Sequence, residues 1–470
     1  MSEDLGKGTR GVIRALAPEL KPARGSRARL RQLREVASEP SAEATWLMLA
    51  VIGRRLPTPA EVESAFRFAR RSGGAALLRS ISRARLRSPS RWLDPAVSVL
   101  LAPIVLDVHD SLGTGLSTGV QRMARGIAAV WSPRGAILVG WSAGRTQLRA
   151  STLERSRRGR ARSVVPWRGH FVLAEVVTEP ERSIRTQAIA QYSHCRSMLV
   201  GADVIPLTTA ETTGPRMPGV FAKYLAAASR MSIVAAISET AALEYAGWRD
   251  TLASAGLTGP EVVAVPLAET AGLPRQEFRE LAESVVLRSD DEGVLPLVLS
   301  VGSHEPRKNH GAVLQAAELL WREGLRFNLV FIGGNAWRSD EFRLRLSRLK
   351  AAGRPVQSLS GVGDDTLWWA YRLARVTVFP SVNEGFGLPI VESLHAGTPV
   401  VTSNFGSMAE IAAGGGCITV DPADDCSVAD GIRMLLTDDE LRETLAAEAL
   451  TRPTRDWEAY AGELWRILVG

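Results

Sequence analysis

The chain has 470 residues, too many for one ordinary domain, and its 45% hydrophobic and 23% charged residues are the balance of a soluble globular protein. No apolar run approaches the roughly 18 residues of a membrane span and no signal-peptide pattern opens the chain. Three cysteines (Cys195, Cys417, Cys426) make neither a disulfide framework nor a metal cluster, so a reducing cytoplasm is expected. The net charge of +7 is uneven: residues 1–100 carry 19 Lys and Arg against 9 Asp and Glu, a balance of +10 that leaves the other 370 residues at −3.

Residues 1–40, rich in Arg, Ala and Ser, are predicted to be loosely ordered. Helical spacing appears over 42–52 and again over 58–81, where Thr58 reads as an N-cap with Pro59 at the first helical position and Glu61 completing a capping box. Phe66, Phe68, Leu77 and Leu78 are the candidate core of a small helical unit. Such a basic segment can touch anionic lipid, an acidic partner or nucleic acid, with a solvated Arg-rich surface as the plain alternative. No zinc-ligand spacing or RNA-binding aromatic motif supports nucleic acid.

Near Ala102 the pattern changes to strands alternating with helices. Ile104–Val108 is a buried strand, residues 113–119 a glycine-rich loop, and a helix begins near Val120. Further strands are predicted at 136–140, 196–200, 232–238 and 262–266, with an Arg-dense loop or hairpin over 145–168. After a helix at about 270–287 the alternation restarts. Strands are expected at 294–301, 327–332, 356–359, 376–380, 399–402 and 417–420. Helices are expected at about 311–322, 340–350 and 365–373, with a closing amphipathic one at 456–469. This pattern predicts parallel sheets with helices on both faces, in two similar α/β halves.

Ligands of such sheets bind at the carboxyl ends of the strands, so the loops there are the candidate site. In the second half those loops hold Arg307-Lys308, Gly333-Gly334, Gly361-Val362-Gly363 and the segment Glu384 to Glu392. Two adjacent cations suit a diphosphate, Arg through its planar fork and Lys as a compact charge. Gly385-Phe386-Gly387 permits close backbone approach to a ligand, and Pro389 suits the first turn of a helix whose free amides can face an anion. Glu384 and Glu392 offer carboxylates to sugar or ribose hydroxyls.

Residues 302–310, 333–337, 384–392 and 397–404, with Asp456-Trp457, resemble the donor half of glycosyltransferase family 4. The resemblance spans about 294–469, weakens over 102–270 and does not reach 1–100. It implies a GT-B fold: two facing Rossmann-like domains at 101–285 (acceptor) and 286–455 (donor), a closing helix at 456–470, and a basic helical accessory extension at 1–100. It also implies a retaining glycosyltransferase without an essential metal or cofactor, using a nucleotide-sugar as substrate and a glycan or lipid-linked acceptor, in the manner of bacterial polysaccharide mannosyl- and rhamnosyltransferases. By that likeness Arg307 and Lys308 hold the diphosphate, Glu384 the donor sugar and Glu392 the ribose. Gly385, Phe386, Gly387 and Leu388 line the sugar and phosphate pocket, and Val362 contacts the base. Gly302 and Gly334 are assigned to donor binding as well.

In the first half, Asp107 and the loop to Gly119-Val120-Gln121-Arg122 are similar to the family's first strand and glycine loop, which places Gly119 and Arg122 near the donor phosphate. Ala202 stands where the family commonly has His; His109 and His194 are candidate substitutes. Two other readings are a nucleotide-sugar epimerase on the same architecture and a scaffold acting through the basic extension. A cytoplasmic location, peripheral to the inner face of a membrane, accords with the extension's charge. The donor base and sugar, the acceptor and the linkage are not legible in the residues.

Overall fold

Apolar residues at helical spacing turn the basic N-terminus into five helices in the computed structural model of the chain, which describes residues 2–87, 97–113, 118–151, 162–269 and 274–470. They are α1 (Ser2–Leu16), α2 (Ser26–Val36), α3 (Ala42–Ile52), α4 (Pro59–Ser72) and α5 (Gly74–Arg87). The loose order expected of residues 1–40 is not found: Val12, Ile13 and Leu33 are buried, because the polar composition hides one apolar face on each helix. Thr58 and Glu61 form the expected capping box on α4. The helical stretch over 58–81 is broken at Gly73, whose φ of 83° ends α4. Leu77 and Leu78 are buried as expected, but Phe68 is 42% exposed; Trp46, Leu47 and Met48 of α3 fill the core instead.

The first sheet runs in the order β1-β5-β4-β3-β2-β6-β7-β8-β9. Its strands are β1 (Val97–Leu101), β2 (Ile104–Asp107), β3 (Ile137–Trp141), β4 (Leu148–Ala150), β5 (Ser163–Trp167), β6 (His170–Leu173), β7 (Arg196–Gly201), β8 (Ile233–Ala236) and β9 (Glu261–Ala264). The Arg-dense stretch is a hairpin: β4 pairs antiparallel with both β3 and β5, so this sheet is mixed rather than purely parallel. β1 and β6 have no counterpart among the expected strands. Around the sheet lie α6 (His109–Gly113), α7 (Gly119–Trp131), α8 (Pro180–Tyr192), α9 (Ile205–Thr208), α10 (Met217–Ala228) and α11 (Glu239–Ser254). The centre of the glycine-rich loop, 114–117, and the hairpin residues 152–161 lie outside the described residues.

The N-terminal helices share one core with this sheet and do not stand apart from it. Trp46 stacks on Trp167 with ring centroids 6.3 Å apart, and Trp167 Nε1 donates to the carbonyl of Ala15 at 3.2 Å.

The second half begins with α12 (Arg279–Val286), shorter than the helix expected over 270–287, whose first residues, 270–273, lie outside those described. A small hairpin follows, β10 (Ser289–Asp290) with β11 (Gly293–Val294). The six remaining strands are all parallel: β12 (Leu297–Val301), β13 (Asn328–Ile332), β14 (Val356–Leu359), β15 (Val376–Phe379), β16 (Val400–Ser403) and β17 (Cys417–Val420). Their order, β14-β13-β12-β15-β16-β17, reverses between β12 and β15, which opens a crevice at the carboxyl ends of those two strands. The helices are α13 (His310–Arg322), α14 (Asp340–Ala351), α15 (Asp364–Leu373), α16 (Leu388–His395), α17 (Gly406–Ala412), α18 (Asp425–Thr437), α19 (Asp439–Thr451) and α20 (Trp457–Val469).

α20 returns to the first half. Trp131 Nε1 of α7 donates to the carbonyl of Ala461 at 2.8 Å, and Trp131 meets Trp465 edge to face at 5.2 Å. One apolar cluster joins Met123 and Ile127 of α7 to Phe386, Ile390, Met408 and Tyr460, so the halves share buried surface behind the cleft. Among the described residues no helix is long and apolar enough to cross a membrane.

Candidate active site

The loop after β12 begins at Gly302, whose φ of 148° favours glycine. A Cβ on Gly333, in the loop after β13, would collide with the Gly302 carbonyl, so the two strand-end backbones meet without side chains between them. Gly334 accepts from the His304 amide at 2.8 Å and its own Cα faces open space. Pro306–Lys308 then forms a single 3₁₀ turn, ended by Asn309 in the left-handed region with φ 55°. The Asn309 side chain donates to the carbonyls of Pro380 at 3.2 Å and Pro422 at 2.7 Å, which fastens this loop to those after β15 and β17.

That fastening brings Arg307 and Lys308 onto Glu384. Lys308 Nζ donates to Glu384 Oε1 at 2.6 Å, and the Ser381 hydroxyl donates to the same oxygen at 2.7 Å. Arg307 pairs with Glu384 Oε2, donates to Glu305 at 2.7 Å and to the carbonyl of Asn383 at 3.0 Å. The Lys308 ammonium also lies 4.7 Å from the centre of the Phe379 ring. Burial alone would raise the Glu384 carboxyl, but Arg307 and Lys308 overcome it and hold it at about 2. Burial and the neighbouring Arg307 push Lys308 below the usual lysine range despite Glu384. The carboxylates of Glu384, Glu305 and Asp203 hold Arg307 above its ordinary value against the desolvation that opposes it. The three predicted residues thus form one desolvated ionic cluster at the crevice between β12 and β15.

Glu392, one turn into α16, is 3% exposed. It accepts from the Tyr371 hydroxyl at 2.8 Å and forms an ion pair with Arg122 from the first half. The ribose-binding carboxylate expected at Glu392 is therefore already partnered across the cleft. Gly119 opens α7, where Thr118 and Gln121 make a capping box, and a Cβ there would meet Leu388 at 3.1 Å. Gly385 packs backbone to backbone on the first half: a side chain would collide with the Ala202 carbonyl, and the Ser238 hydroxyl donates to the Gly385 carbonyl at 2.7 Å. Phe386 is buried in the shared apolar cluster, and Gly387, with φ 124°, turns the chain into α16. Val362 lies half-buried in the loop after β14, against the Leu299 and Ile332 cluster. Of the predicted positions, Gly302, Lys308, Arg307 and Glu384 cluster together, while Gly119, Arg122, Leu388 and Glu392 meet as a second group.

Several residues of the site carry no local signal. Asp203 faces Arg307 from the first half; burial pushes its carboxyl up to about 6 against the pull of Arg307, with Glu384 and Glu244 adding to the rise. Asn383 donates to Thr208 at 3.3 Å and to Glu244 at 3.2 Å, and Trp337 Nε1 donates to the Thr212 carbonyl at 2.9 Å, further ties between the halves. At the carboxyl ends of β2 and β6, the fully buried Arg182 donates to Asp107 at 3.0 Å, Asp110 at 2.8 Å and Glu175 at 2.9 Å. Glu175 in turn accepts the amides of Asp110 and Ser111, and Asp107 accepts from Trp141 Nε1 at 2.7 Å. This network sets the start of the glycine-rich loop.

His109 accepts the Trp141 amide at 3.0 Å, and burial, with Arg182 and Arg145, lowers it. His109, Asp110 and Glu179 have ligand atoms within 4.8 Å of one another, the one such group among the described residues; the two carboxylates are paired with Arg182 and Arg145. His194 packs edge-on against Trp167 at 5.0 Å, behind the N-terminal helices, as a structural residue.

Residues 289–452 match the family model described as glycosyl transferases group 1. Among curated proteins, the chain is 37% identical over 162 residues to the O-antigen chain mannosyltransferase B of Escherichia coli, a stretch covering 34% of this chain and 42% of that relative. The chain thus spans less than half the length of that relative. Among solved structures, the sucrose-phosphate synthase of Thermosynechococcus elongatus superposes with a TM-score of 0.57 at 17% identity, over 78% of this chain and 99% of that one. Anabaena Alr3699/HepE, solved in complex with UDP and glucose, gives 0.56 at 14% identity over 78% and 100%. These likenesses establish the GT-B fold, two Rossmann-like halves about a cleft.

Proposed function

We propose that this chain, whose residues 289–452 belong to the group 1 glycosyltransferases, moves a sugar from a nucleotide-sugar donor to a glycan or lipid-linked acceptor in bacterial surface polysaccharide synthesis. The observation that carries this reading is the convergence of Arg307, Lys308 and Glu384 at the crevice between β12 and β15, opposite Gly119 and Arg122. Arg307 and Lys308 face where a diphosphate would lie, and their charge would stabilise the nucleoside diphosphate as it leaves. These two cations supply what a metal ion would otherwise give, so no catalytic metal is needed in this reading.

The reaction breaks the bond between the anomeric carbon and the phosphate oxygen and forms one from that carbon to the acceptor oxygen, with retention of configuration. The acceptor proton goes to the departing phosphate. Binding exchanges partners: diphosphate oxygens take over hydrogen bonds from Arg307 and Lys308, which frees Glu384 for hydroxyls of the sugar. The ribose takes a place beside Glu392, with Arg122 moving toward the phosphates. Val362 lies beside the base, and the backbone of Gly302, Gly334 and Gly385 to Leu388 lets the donor approach. Mannose is the sugar favoured by the names of the curated relatives.

The test is release of nucleoside diphosphate from GDP-mannose, then from UDP- and dTDP-sugars, in the presence of a chelator and with lipid-linked glycan as acceptor. Acceptor-dependent release is expected with one donor. Absence of release from every donor, or conversion of a donor to its epimer, would overturn the reading.

A further inference from the structure

Three of the N-terminal helices carry arginines that no carboxylate among the described residues answers. On α2, Arg27, Leu30, Arg31 and Arg34 stand at i, i+3, i+4 and i+7, a single stripe, and all four are exposed. Arg67 and Arg71 of α4 and Arg79 and Arg83 of α5 are likewise exposed, one turn apart within each pair. α5 lies against both α2 and α4 and so joins the three helices. Among the described residues, none of these seven arginines has a carboxylate partner, whereas Arg55, on the turn before α4, is paired with Glu61. Elsewhere the exposed Arg275 and Arg326 and the half-buried Arg433 are each held by acidic neighbours, whereas the exposed Arg168, Arg216 and Arg348 stand singly without one. Leu30 at 38% and Phe68 at 42% exposure stand among the unpaired guanidinium groups.

We propose that the arginine face of α2, α4 and α5 is a docking surface for an anionic lipid bilayer. Unpaired guanidinium groups meet lipid phosphates, and the exposed Leu and Phe enter the interface between headgroups and acyl chains. Those two apolar side chains decide for a bilayer over a nucleic acid, whose backbone offers them nothing.

The attachment to the rest of the protein is rigid. The Leu56 amide donates to the Thr146 carbonyl at 2.8 Å, Gln147 Nε2 donates to the Arg54 carbonyl at 2.5 Å, and Arg185 Nε donates to the Leu56 carbonyl at 3.0 Å. Thr146 and Gln147 lie in the loop that leaves the carboxyl end of β3, so a bilayer held at the helices has a fixed relation to the strand ends of the first half. The inference concerns a surface and does not depend on the proposed reaction.

The full-length protein is sedimented with vesicles of phosphatidylcholine with and without phosphatidylglycerol. Each arginine near the bilayer contributes roughly fivefold in affinity. Binding is expected only to the anionic vesicles, weakening as salt rises. The triple variant Arg27→Glu, Arg31→Glu, Arg34→Glu should lose about 100-fold or more, with its melting transition and nucleoside diphosphate affinity at wild-type values. Should the triple variant not fold, Arg67→Glu with Arg71→Glu decides, with a loss of at least about 25-fold on the same per-residue contribution. Equal binding to neutral vesicles, unchanged binding in folded variants, or tighter binding of duplex DNA or RNA than of anionic vesicles would overturn the proposal.

Discussion

Replacing Glu384 by Ala removes the shared counter-ion of two buried cations, and the size of the effect can be worked from the site. The Glu384 carboxyl is held at about 2 against an ordinary 4.5. A displacement of that size corresponds to about 3 kcal/mol of stabilisation of the charged form. Breaking a buried ion pair by removing one partner costs roughly 3–5 kcal/mol, because the other charge is left uncompensated, so the two routes agree. In a unit the size of the second half, about 3 kcal/mol lowers the melting temperature by roughly 6–12 °C. The pKa of Glu384 is lower in the fold than in the unfolded chain. Its contribution is therefore complete above 4.5, declines as pH falls and is gone near 2. Scanning calorimetry of wild type and Glu384→Ala at neutral pH should show this gap, and at the lowest pH that keeps both folded the gap should narrow. Transfer should also be lost, since Arg307 and Lys308 are no longer positioned. A variant that melts with the wild type, or a gap that stays constant as pH falls, would refute the reasoning.

Asp203→Asn should raise the melting temperature at pH above 6, where the native carboxylate is ionised at a cost, and the gain should fade as pH drops from about 6 toward 3.8; an equal gain at all pH would contradict the sign of the shift. Gly385→Ala places a methyl group against the Ala202 carbonyl and should cost about 1–3 kcal/mol and most of the transfer rate, read by melting and turnover; wild-type values for both would show that the halves do not meet there. Removing residues 1–87 should leave an aggregating or poorly folded product, because Trp167 loses Trp46 and the Ala15 carbonyl. A truncated chain with native near-ultraviolet circular dichroism would make the helices dispensable.

The second half was legible because its signals are local. Each strand is a short apolar run, and each loop that matters carries its own glycines or charge, as in Gly302 to Lys308 and Glu384 to Leu388. The capping box at Thr58 and Glu61 was equally local. What escaped depends on partners far along the chain. The order of α1 comes from packing on β1 and that of α2 from packing on α1, so the Arg-rich composition of residues 1–40 concealed it. Phe68 has the spacing of a core residue but faces solvent, since Trp46 and Met48 already fill the interior. The pairing of Arg122 with Glu392 joins residues 270 positions apart, and the shift at Asp203 arises from Arg307, Glu384 and burial between the halves. Residue types announced the second site group, but only the folded structure revealed that Glu392 is already engaged.

Arg307 and Lys308, poised by Glu384, are proposed to hold the diphosphate of a nucleotide-sugar. Titration calorimetry of the full-length protein with GDP, UDP and dTDP in the presence of a chelator tests it most directly. One nucleoside diphosphate should bind with measurable heat, and Lys308→Met should abolish that binding while the protein remains folded. Failure of all three to bind, or undiminished affinity in the folded Lys308→Met variant, would contradict the assignment.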